Sequence, residues 1–172
     1  MSGKLSHVDE RGRARMVGVE DKPVTHRVCV ARGEVRMAPE TLARIAERNL
    51  PKGDVLLTAR LAGIQASKRT DEWIPLCHSL PLDGVEIELV PDSSASCVWI
   101  EARVQAHART GVEMEALVAV AAAGLTIYDM CKAVDREMSL GAVRLVSKSG
   151  GKSGQWERDD ELERGPGAPS AG

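Results

Sequence analysis

The chain has 172 residues, and its 23 basic and 25 acidic side chains leave a net charge of −2 at pH 7. This length fits one domain, which can bury roughly 70% of its unfolded surface and form its own core. The small net charge argues against a broad basic face for duplex DNA. Only 2% of the residues are aromatic, which argues against stacking platforms for single-stranded nucleic acid.

The N-terminal residues 1–7 lack an apolar core, so we expect no secretory signal. The longest apolar stretch, near residues 116–127, is too short to predict a membrane span. The cysteines form no Cys-x-x-Cys pair and no zinc-ribbon spacing, which predicts reduced thiols in a cytoplasmic protein. They are Cys29, Cys77, Cys97 and Cys131.

The first part of the chain predicts a docked arm, a hairpin and two helices. Residues 16–19 form a short apolar stretch, which suggests a short docking strand. Apolar and polar side chains alternate over residues 24–37, which predicts a hairpin that turns at Arg32-Gly33-Glu34. Pro39 and Glu40 favour a helix start. After a stop at residues 51–53, Asp54 can cap a helix over residues 55–67, in which Gly63 would permit a close helix contact.

The second part predicts an irregular segment at residues 70–84, a long antiparallel hairpin over residues 85–104, and a helix over residues 113–134. A short strand is expected at residues 142–146. Residues 1–154 then form a single domain, and residues 155–172 form a disordered tail. This order predicts an α+β fold, a ferredoxin-like antiparallel sheet with helices packed on one face.

Several polar groups stand out from this framework, each with a plain structural alternative. Lys52 lies in a tight connection between helices, where a solvated loop lysine is the simple interpretation. Cys77 and His78 lie in an apolar, Pro-flanked loop, where His78 can instead be a core histidine bonded to a backbone carbonyl. Adjacent ligands rarely reach one ion, so a metal site is not predicted there.

The longest helix carries acidic groups at both ends. Glu113 and Glu115 flank Met114 at its start, where acids commonly complement the helix dipole. Asp129 and Lys132 share a helical face near its end, as a surface ion pair or as a partly buried acid–base pair with perturbed pKa values. Glu115 and Asp129 are 14 positions apart, or about 21 Å along a helix. One compact site cannot easily contain both ends, so either the ends serve two sites or neighbouring protomers bring opposite ends together. Because the wide apolar surface of this helix favours burial at a subunit interface, we expect a homo-oligomer with its site between chains.

The Gly-rich segment at residues 147–154 superficially looks like a phosphate loop. Val146 stands where that motif needs Gly, and no helix can follow in this Gly-Ser stretch, so a Walker-type NTPase is not favoured. Lys148 and Lys152 can still supply charge to a phosphate, although a plain flexible tail is the alternative.

Taken together, these segments resemble the cyclic pyranopterin monophosphate synthase family of molybdenum cofactor biosynthesis, over nearly the whole chain up to Gly154. Ser79, after the His of the loop, and Gly124, within the long helix, depart from the residues usual in that family. The matching runs are His7-Val8-Asp9, Met16-Val17, Asp21-Lys22-Pro23, Pro51-Lys52-Gly53-Asp54-Val55, residues 58–64, Lys68-Arg69-Thr70, residues 74–78, residues 110–117, residues 125–134 and residues 148–154.

The resemblance implies a lyase that converts 3′,8-cyclo-7,8-dihydro-GTP to cyclic pyranopterin monophosphate with release of pyrophosphate, as the second step of the pathway. It also implies a homohexamer, a trimer of dimers with the active site at the dimer interface. No cofactor is expected, apart from a Mg²⁺ ion that can bridge substrate phosphates. No partner nucleic acid or membrane is expected. Residue by residue, it implies catalytic roles for Lys52, His78, Asp129 and Lys132, and substrate binding by Cys77, Glu113, Met114, Glu115, Lys148 and Lys152.

The chemistry fits ordinary side chains, because ring opening, ring closure and phosphate cyclisation all move protons. We expect burial to lower the pKa of Lys132 so that it shuttles a proton with Asp129, and we expect Lys52 and Lys148 to stabilise triphosphate charge. Two alternatives remain open: a non-catalytic nucleotide-binding or assembly subunit, and a metal-dependent hydrolase. The first would bind without forming product, and the second would lose activity with a chelator.

Overall fold

The computed structural model describes residues 11–159 and has the predicted α+β architecture. The strands are Thr25–Arg36 (β1), Gly84–Asp92 (β2), Cys97–Ala108 (β3), Ser139–Ser149 (β4) and Trp156–Glu157 (β5). The helices are Pro39–Ala46 (α1), Val55–Ser67 (α2), Thr70–Trp73 (α3) and Glu113–Cys131 (α4). All strand pairs are antiparallel, in the order β2-β3-β1-β4-β5. This arrangement is consistent with a ferredoxin-like fold.

The core lies between the sheet and the paired helices α2 and α4. It is aliphatic, and its largest fully buried side chains include Ile100, Ile127 and Val35. Gly63 allows the helices to approach, because a Cβ there would lie 2.8 Å from the Ala119 carbonyl oxygen. The prediction of a close helix contact at Gly63 is therefore confirmed.

The hairpin expected within residues 24–37 is wrong, because β1 runs unbroken through Gly33 and pairs with β3 along its whole length. Gly33 serves helix packing rather than a turn: a Cβ at this position would lie 2.7 Å from Cγ1 of Val120 in α4. The pairing of β1 with β4 shifts register at Val30/Ala31 and at Arg32/Glu34. Gly33, which is flanked by charged residues, thus lies at a bulge in the central strand and beneath helix α4.

Other local predictions need smaller corrections. Residues 16–19 form no strand, and the short helix α3 replaces part of the irregular segment. Helix α4 ends at Cys131, three residues earlier than predicted, because the Cys131 carbonyl instead accepts the backbone N–H groups of Val134 and Asp135. The cap by Asp54 is confirmed, since its Oδ1 accepts the Leu57 N–H at 3.0 Å.

The predicted C-terminal tail begins with ordered residues, because Trp156–Glu157 pair with β4. Residues 160–172 of that tail, and the matching run at residues 7–9, lie outside the described residues. The domain boundary at residue 154 therefore stays a prediction. Helix α4 has the length and mean hydropathy of a membrane span, but 61% of it is buried inside the protein, as expected of a core helix.

Candidate active site

One candidate site lies at the C-terminal end of α4, and we call it the lysine cluster: Lys52, Asp129 and Lys132. The turn before α2 presents Lys52, whose Nζ donates to Asp129 Oδ2 at 2.8 Å and to the Asp129 carbonyl at 3.0 Å. Lys132 Nζ lies 2.7 Å from the other carboxylate oxygen, Oδ1. The turn needs Gly53, whose φ of +90° suits glycine best. The fold thus brings Lys52 to a carboxylate 77 positions further along the chain, where Lys132 also binds.

The lysine cluster is charged and open to solvent, which contradicts one expectation. Hydrogen bonds from Lys132 and Lys52 lower the pKa of Asp129 to about 2. Hydrogen bonding to Asp129 raises the pKa of Lys132, and the side chains of Asp129 and Lys132 are 55% and 54% exposed. The expected lowering of the Lys132 pKa by burial is therefore wrong for the single chain, because the paired carboxylate stabilises the ammonium form.

A cleft of about 380 Å³ opens next to the lysine cluster, between α2, α3 and α4. Its floor is made of small side chains, and Arg69 and Trp73 form part of its wall. Such a cleft can admit a flat ring system next to Asp129. The residues that line it are Ala62, Gln65, Ala66, Arg69, Trp73, Ala122, Leu125, Thr126 and Asp129.

A second candidate site lies at the N-terminal end of α4, and we call it the acidic cluster: Cys77, Glu113, Glu115 and Lys148. Glu115 is only 2% exposed, and burial raises its pKa. Its Oε1 lies 3.7 Å from the Cys77 Sγ, and its Oε2 has no hydrogen-bond partner among the described residues. A buried oxygen without a partner is costly, so it is suited to accept an N–H from a bound ligand.

The other two members of the acidic cluster form an ion pair. Lys148 Nζ, from β4, lies 3.1 Å from Glu113 Oε1, and both side chains are about 30% exposed. Next to them, burial and the charge of Glu115 raise the pKa of Cys77 to about 11. The Cys77 thiol is therefore protonated at neutral pH and acts as a hydrogen-bond donor rather than a nucleophile.

The remaining predicted site residues differ in how they are held. His78 Nε2 lies 2.9 Å from the Val17 carbonyl oxygen, which matches the alternative of a histidine bonded to the backbone. Met114 is partly buried between the two glutamates. Lys152 is exposed, and no hydrogen bond or ion pair joins it to any other residue that the structure describes.

The structure thus divides the predicted site residues between the two ends of α4, which is continuous over 19 residues. No role was predicted for Arg27 in β1 or for Arg109, which lies just before α4. Within residues 11–159, no group of three or more His, Cys, Asp or Glu side chains is placed to hold a metal ion.

The comparison with known proteins decides the family. The sequence profile of the MoaC family matches residues 16–151. The chain belongs to the MoaC family. It is 62% identical to the cyclic pyranopterin monophosphate synthase of Pelotomaculum thermopropionicum over 161 residues, and this matched segment covers 94% of each chain.

Two further relatives carry the same name. The chain is 57% identical over 161 residues to the enzyme of Thermomicrobium roseum, covering 94% of this chain and 97% of the relative. It is 56% identical over 160 residues to that of Brucella ovis, covering 93% and 97%. The chain is therefore similar to these synthases over nearly its full length, and it is an enzyme of a family that serves molybdenum cofactor biosynthesis.

Proposed function

We propose that the chain is a phosphorus–oxygen lyase that converts 3′,8-cyclo-7,8-dihydro-GTP to cyclic pyranopterin monophosphate, the second step of the pathway. Its family and its named relatives support this proposal. The observation that carries it is the convergence of Lys52 and Lys132 on the Asp129 carboxylate. Two ammonium groups held on one carboxylate can exchange protons with a substrate bound in the adjoining cleft.

The proposed reaction opens the guanine-derived ring, builds the pterin ring, and closes a cyclic phosphate as pyrophosphate leaves. In that last step a substrate hydroxyl oxygen bonds to the α-phosphorus, and the bond to the bridging oxygen of the leaving pyrophosphate breaks. A basic group must take the hydroxyl proton. We assign proton donation to the two ammonium groups of the lysine cluster, acceptance of the hydroxyl proton to His78, and recognition of ring N–H groups to Glu115.

The two clusters form one site only if a second copy supplies the missing half. They lie about 21 Å apart along α4. Four large apolar side chains of the three helices around the cleft are 49–58% exposed: Leu57, Leu61, Trp73 and Leu125. Two-fold packing of α4 against the same helix of a second copy, about an axis near Ala122, would bring each acidic end beside a lysine end. A homohexamer built from three such dimers belongs to the same proposal.

Cofactor use and location also belong to the proposal. We assign no resident metal or organic cofactor, and a Mg²⁺ ion would bind through the substrate phosphates. All four cysteines are free thiols, which fits a cytoplasmic enzyme.

The central test is a turnover assay under anaerobic conditions with 3′,8-cyclo-7,8-dihydro-GTP, which measures pyrophosphate and the cyclic-phosphate pterin. Lys132→Ala should lower kcat by about 10²- to 10⁴-fold without changing the circular dichroism spectrum. Arg44→Ala, which removes an exposed cation on α1 outside both clusters, is the matched control. Binding without turnover in the wild type would favour the assembly-subunit alternative, and unfolding of Lys132→Ala would contradict its catalytic role.

The shared site is tested by mixing two inactive variants. Lys132→Ala damages one half of the site and Glu115→Gln damages the other, so a mixed dimer contains one intact site. Co-refolded at equal concentration, the pair should recover roughly a quarter of the wild-type activity, since half of the dimers are mixed. No recovery would show that both halves act within one chain.

A further inference from the structure

The loop from His78 to Leu82, between α3 and β2, forms neither helix nor strand. Its backbone is anchored at the two ends, where the N–H groups of Cys77 and Asp83 donate to backbone carbonyls at 3.0 and 2.9 Å. Leu80 and Leu82 pack against the core, which holds the far side of the loop. The position of His78, on the near side, therefore depends on polar contacts of its own side chain and of the residue beside it.

The first of these contacts fixes the imidazole ring of His78. Its Nε2 lies 2.9 Å from the Val17 carbonyl oxygen. A carbonyl oxygen can only accept a hydrogen bond, so Nε2 carries a hydrogen and donates it. In the neutral ring the other nitrogen, Nδ1, then holds the lone pair. Nδ1 is therefore the atom of His78 that can take a proton.

The second contact fixes the backbone next to His78. The hydroxyl of Ser79 donates to Oδ2 of Asp71, which lies eight positions earlier in α3. Helix α3 is itself held at its start, because Thr70 is only 2% exposed and its hydroxyl donates to the Ser67 carbonyl at 2.9 Å. A hydrogen bond to a carboxylate is stronger than one between neutral groups. The bond between Ser79 and Asp71 thus ties the loop to an anchored part of the fold.

Asp71 also acts on the acidic cluster through its charge. Burial is the main cause of the raised pKa of Cys77 and of the raised pKa of Glu115, and the negative charge of Asp71 contributes to both. Asp71 could therefore serve the site by its charge rather than by its hydrogen bond. The two roles are separable, because the hydrogen bond from Ser79 needs only an acceptor oxygen, whereas the effect on the two pKa values needs the negative charge.

We infer that Asp71 and Ser79 are positioning residues that hold His78 as the base for closure of the cyclic phosphate, an inference that rests on the proposed function. Nδ1 of His78 takes the hydroxyl proton while the hydroxyl oxygen bonds to the α-phosphorus, and pyrophosphate leaves with the bridging oxygen. The imidazolium keeps its Nε2 hydrogen bond to the Val17 carbonyl and later passes the Nδ1 proton to water. Because the base is already oriented, less entropy is lost on reaching the transition state.

The first test reads the tautomer of His78 directly, from long-range ¹H–¹⁵N NMR spectra of the full-length protein with ¹⁵N-labelled histidine. The His78 ring signals are identified by their loss in His78→Gln. At about pH 8, where the ring is neutral, the wild type should carry the hydrogen on Nε2 and none on Nδ1. In Ser79→Ala and Asp71→Ala both nitrogen signals should move toward the average of the two tautomers. Glu72→Ala, which removes the neighbouring exposed acid of α3, is the matched control and should leave the signals unchanged.

The second test measures turnover of 3′,8-cyclo-7,8-dihydro-GTP by the same variants. Ser79→Ala and Asp71→Ala should each lower kcat about fivefold or more with little change in KM. The double variant should be no slower than either single variant, because both changes remove the same hydrogen bond. Ser79→Thr keeps the donor and Asp71→Asn keeps an acceptor without the charge, so both should recover most of the activity. Both side chains are exposed, so the urea midpoints of all variants should match that of the wild type.

Unchanged His78 ring signals in Ser79→Ala would overturn the inference, as would a wild type in which Nδ1 carries the hydrogen. Equal losses of kcat in Asp71→Asn and Asp71→Ala, with normal turnover by Ser79→Ala, would assign Asp71 an electrostatic role instead. A lowered urea midpoint with unchanged kcat would show that the pair only stabilises the fold. Failure of the proposed function would appear differently, as a wild type that forms no cyclic phosphate although its His78 signals respond to Ser79→Ala.

Discussion

Replacing Gly63 by Ala tests whether the contact between α2 and α4 limits the spacing of the helices. A Cβ at Gly63 would lie 2.4 Å from Ile87 Cδ1 and 2.8 Å from the Ala119 carbonyl oxygen. Both distances are shorter than van der Waals contact, and a backbone oxygen cannot rotate away. Ile87 is only 5% exposed, so its side chain has little space to move into.

Two opposing effects set the size of the change. Overpacking a core costs about 1–3 kcal/mol, whereas replacing Gly by Ala inside a helix contributes about 1 kcal/mol. We therefore expect Gly63→Ala to lower the free energy of unfolding by about 1 kcal/mol. Because Lys52 precedes α2 and binds Asp129 of α4, separating the helices should also lower kcat.

Gly124→Ala is the matched control in the other helix. Its Cβ would meet only the Leu140 side chain, at 2.4 Å from Cδ1, and Leu140 is partly exposed and can change rotamer. Helix propensity should then dominate, giving a variant as stable as the wild type or more stable by up to about 1 kcal/mol.

Urea unfolding at one fixed protein concentration measures the difference, because oligomerisation would otherwise shift apparent stability. The expected gap of about 1–2 kcal/mol between the two variants corresponds to about 0.5–1 M in the urea midpoint. If Gly63→Ala unfolds at the same or a higher midpoint than Gly124→Ala, the reasoning from helix contact is refuted.

Three further predictions concern buried or partly buried groups. Burial raises the pKa of Glu115, so the folded state retains its proton to higher pH than the unfolded chain. The stability that protonated Glu115 contributes is present at low pH and is lost as pH rises through the folded pKa. Glu115→Gln should therefore reduce the decline in Tm between pH 4 and pH 8. If Tm declines with pH as steeply in this variant as in the wild type, the prediction is wrong. With a Cys77 pKa of about 11, alkylation by iodoacetamide at pH 8 should be about 100-fold slower than for a free thiol. A Cys77 that is labelled at the free-thiol rate in mass spectrometry would contradict this. Asp135 accepts hydrogen bonds from the Ala38 N–H at 2.9 Å, the Thr41 hydroxyl at 3.2 Å and the Glu137 N–H at 3.0 Å. Asp135→Ala should lower the free energy of unfolding, measured by chemical denaturation, by about 2–4 kcal/mol. A loss below about 1 kcal/mol would show that these hydrogen bonds are dispensable.

The elements with strong periodicity were predicted from the sequence, whereas the packing between them was predicted only at Gly63. The bounds of α2 and its Asp54 cap follow from local signals that act within four residues. The turn predicted within β1 is wrong because Gly33 is needed for packing against Val120, a residue far along the chain. A local pattern cannot show which glycine lies under a helix.

The candidate site shows the same division between local and long-range information. The residues of both clusters were predicted, and the length of α4 predicted that they lie apart. The pKa of Lys132 was predicted to fall and instead rises, because the fold leaves Lys132 54% exposed and hydrogen-bonded to Asp129 rather than buried. Arg27 gave no local signal, because its guanidinium contacts the carbonyls of Ala108 and Arg109, which are far along the chain.

The length of α4 has a consequence for how this sequence can change over generations. One inserted residue anywhere between Glu115 and Asp129 would rotate one end by about 100° and shift it by about 1.5 Å relative to the other. Substitutions can accumulate along that segment, but insertions and deletions there would turn one cluster away from the position that the other requires. By contrast, the turn at residues 93–96 between β2 and β3 holds no residue of either cluster, so length variation among relatives should accumulate there rather than in α4.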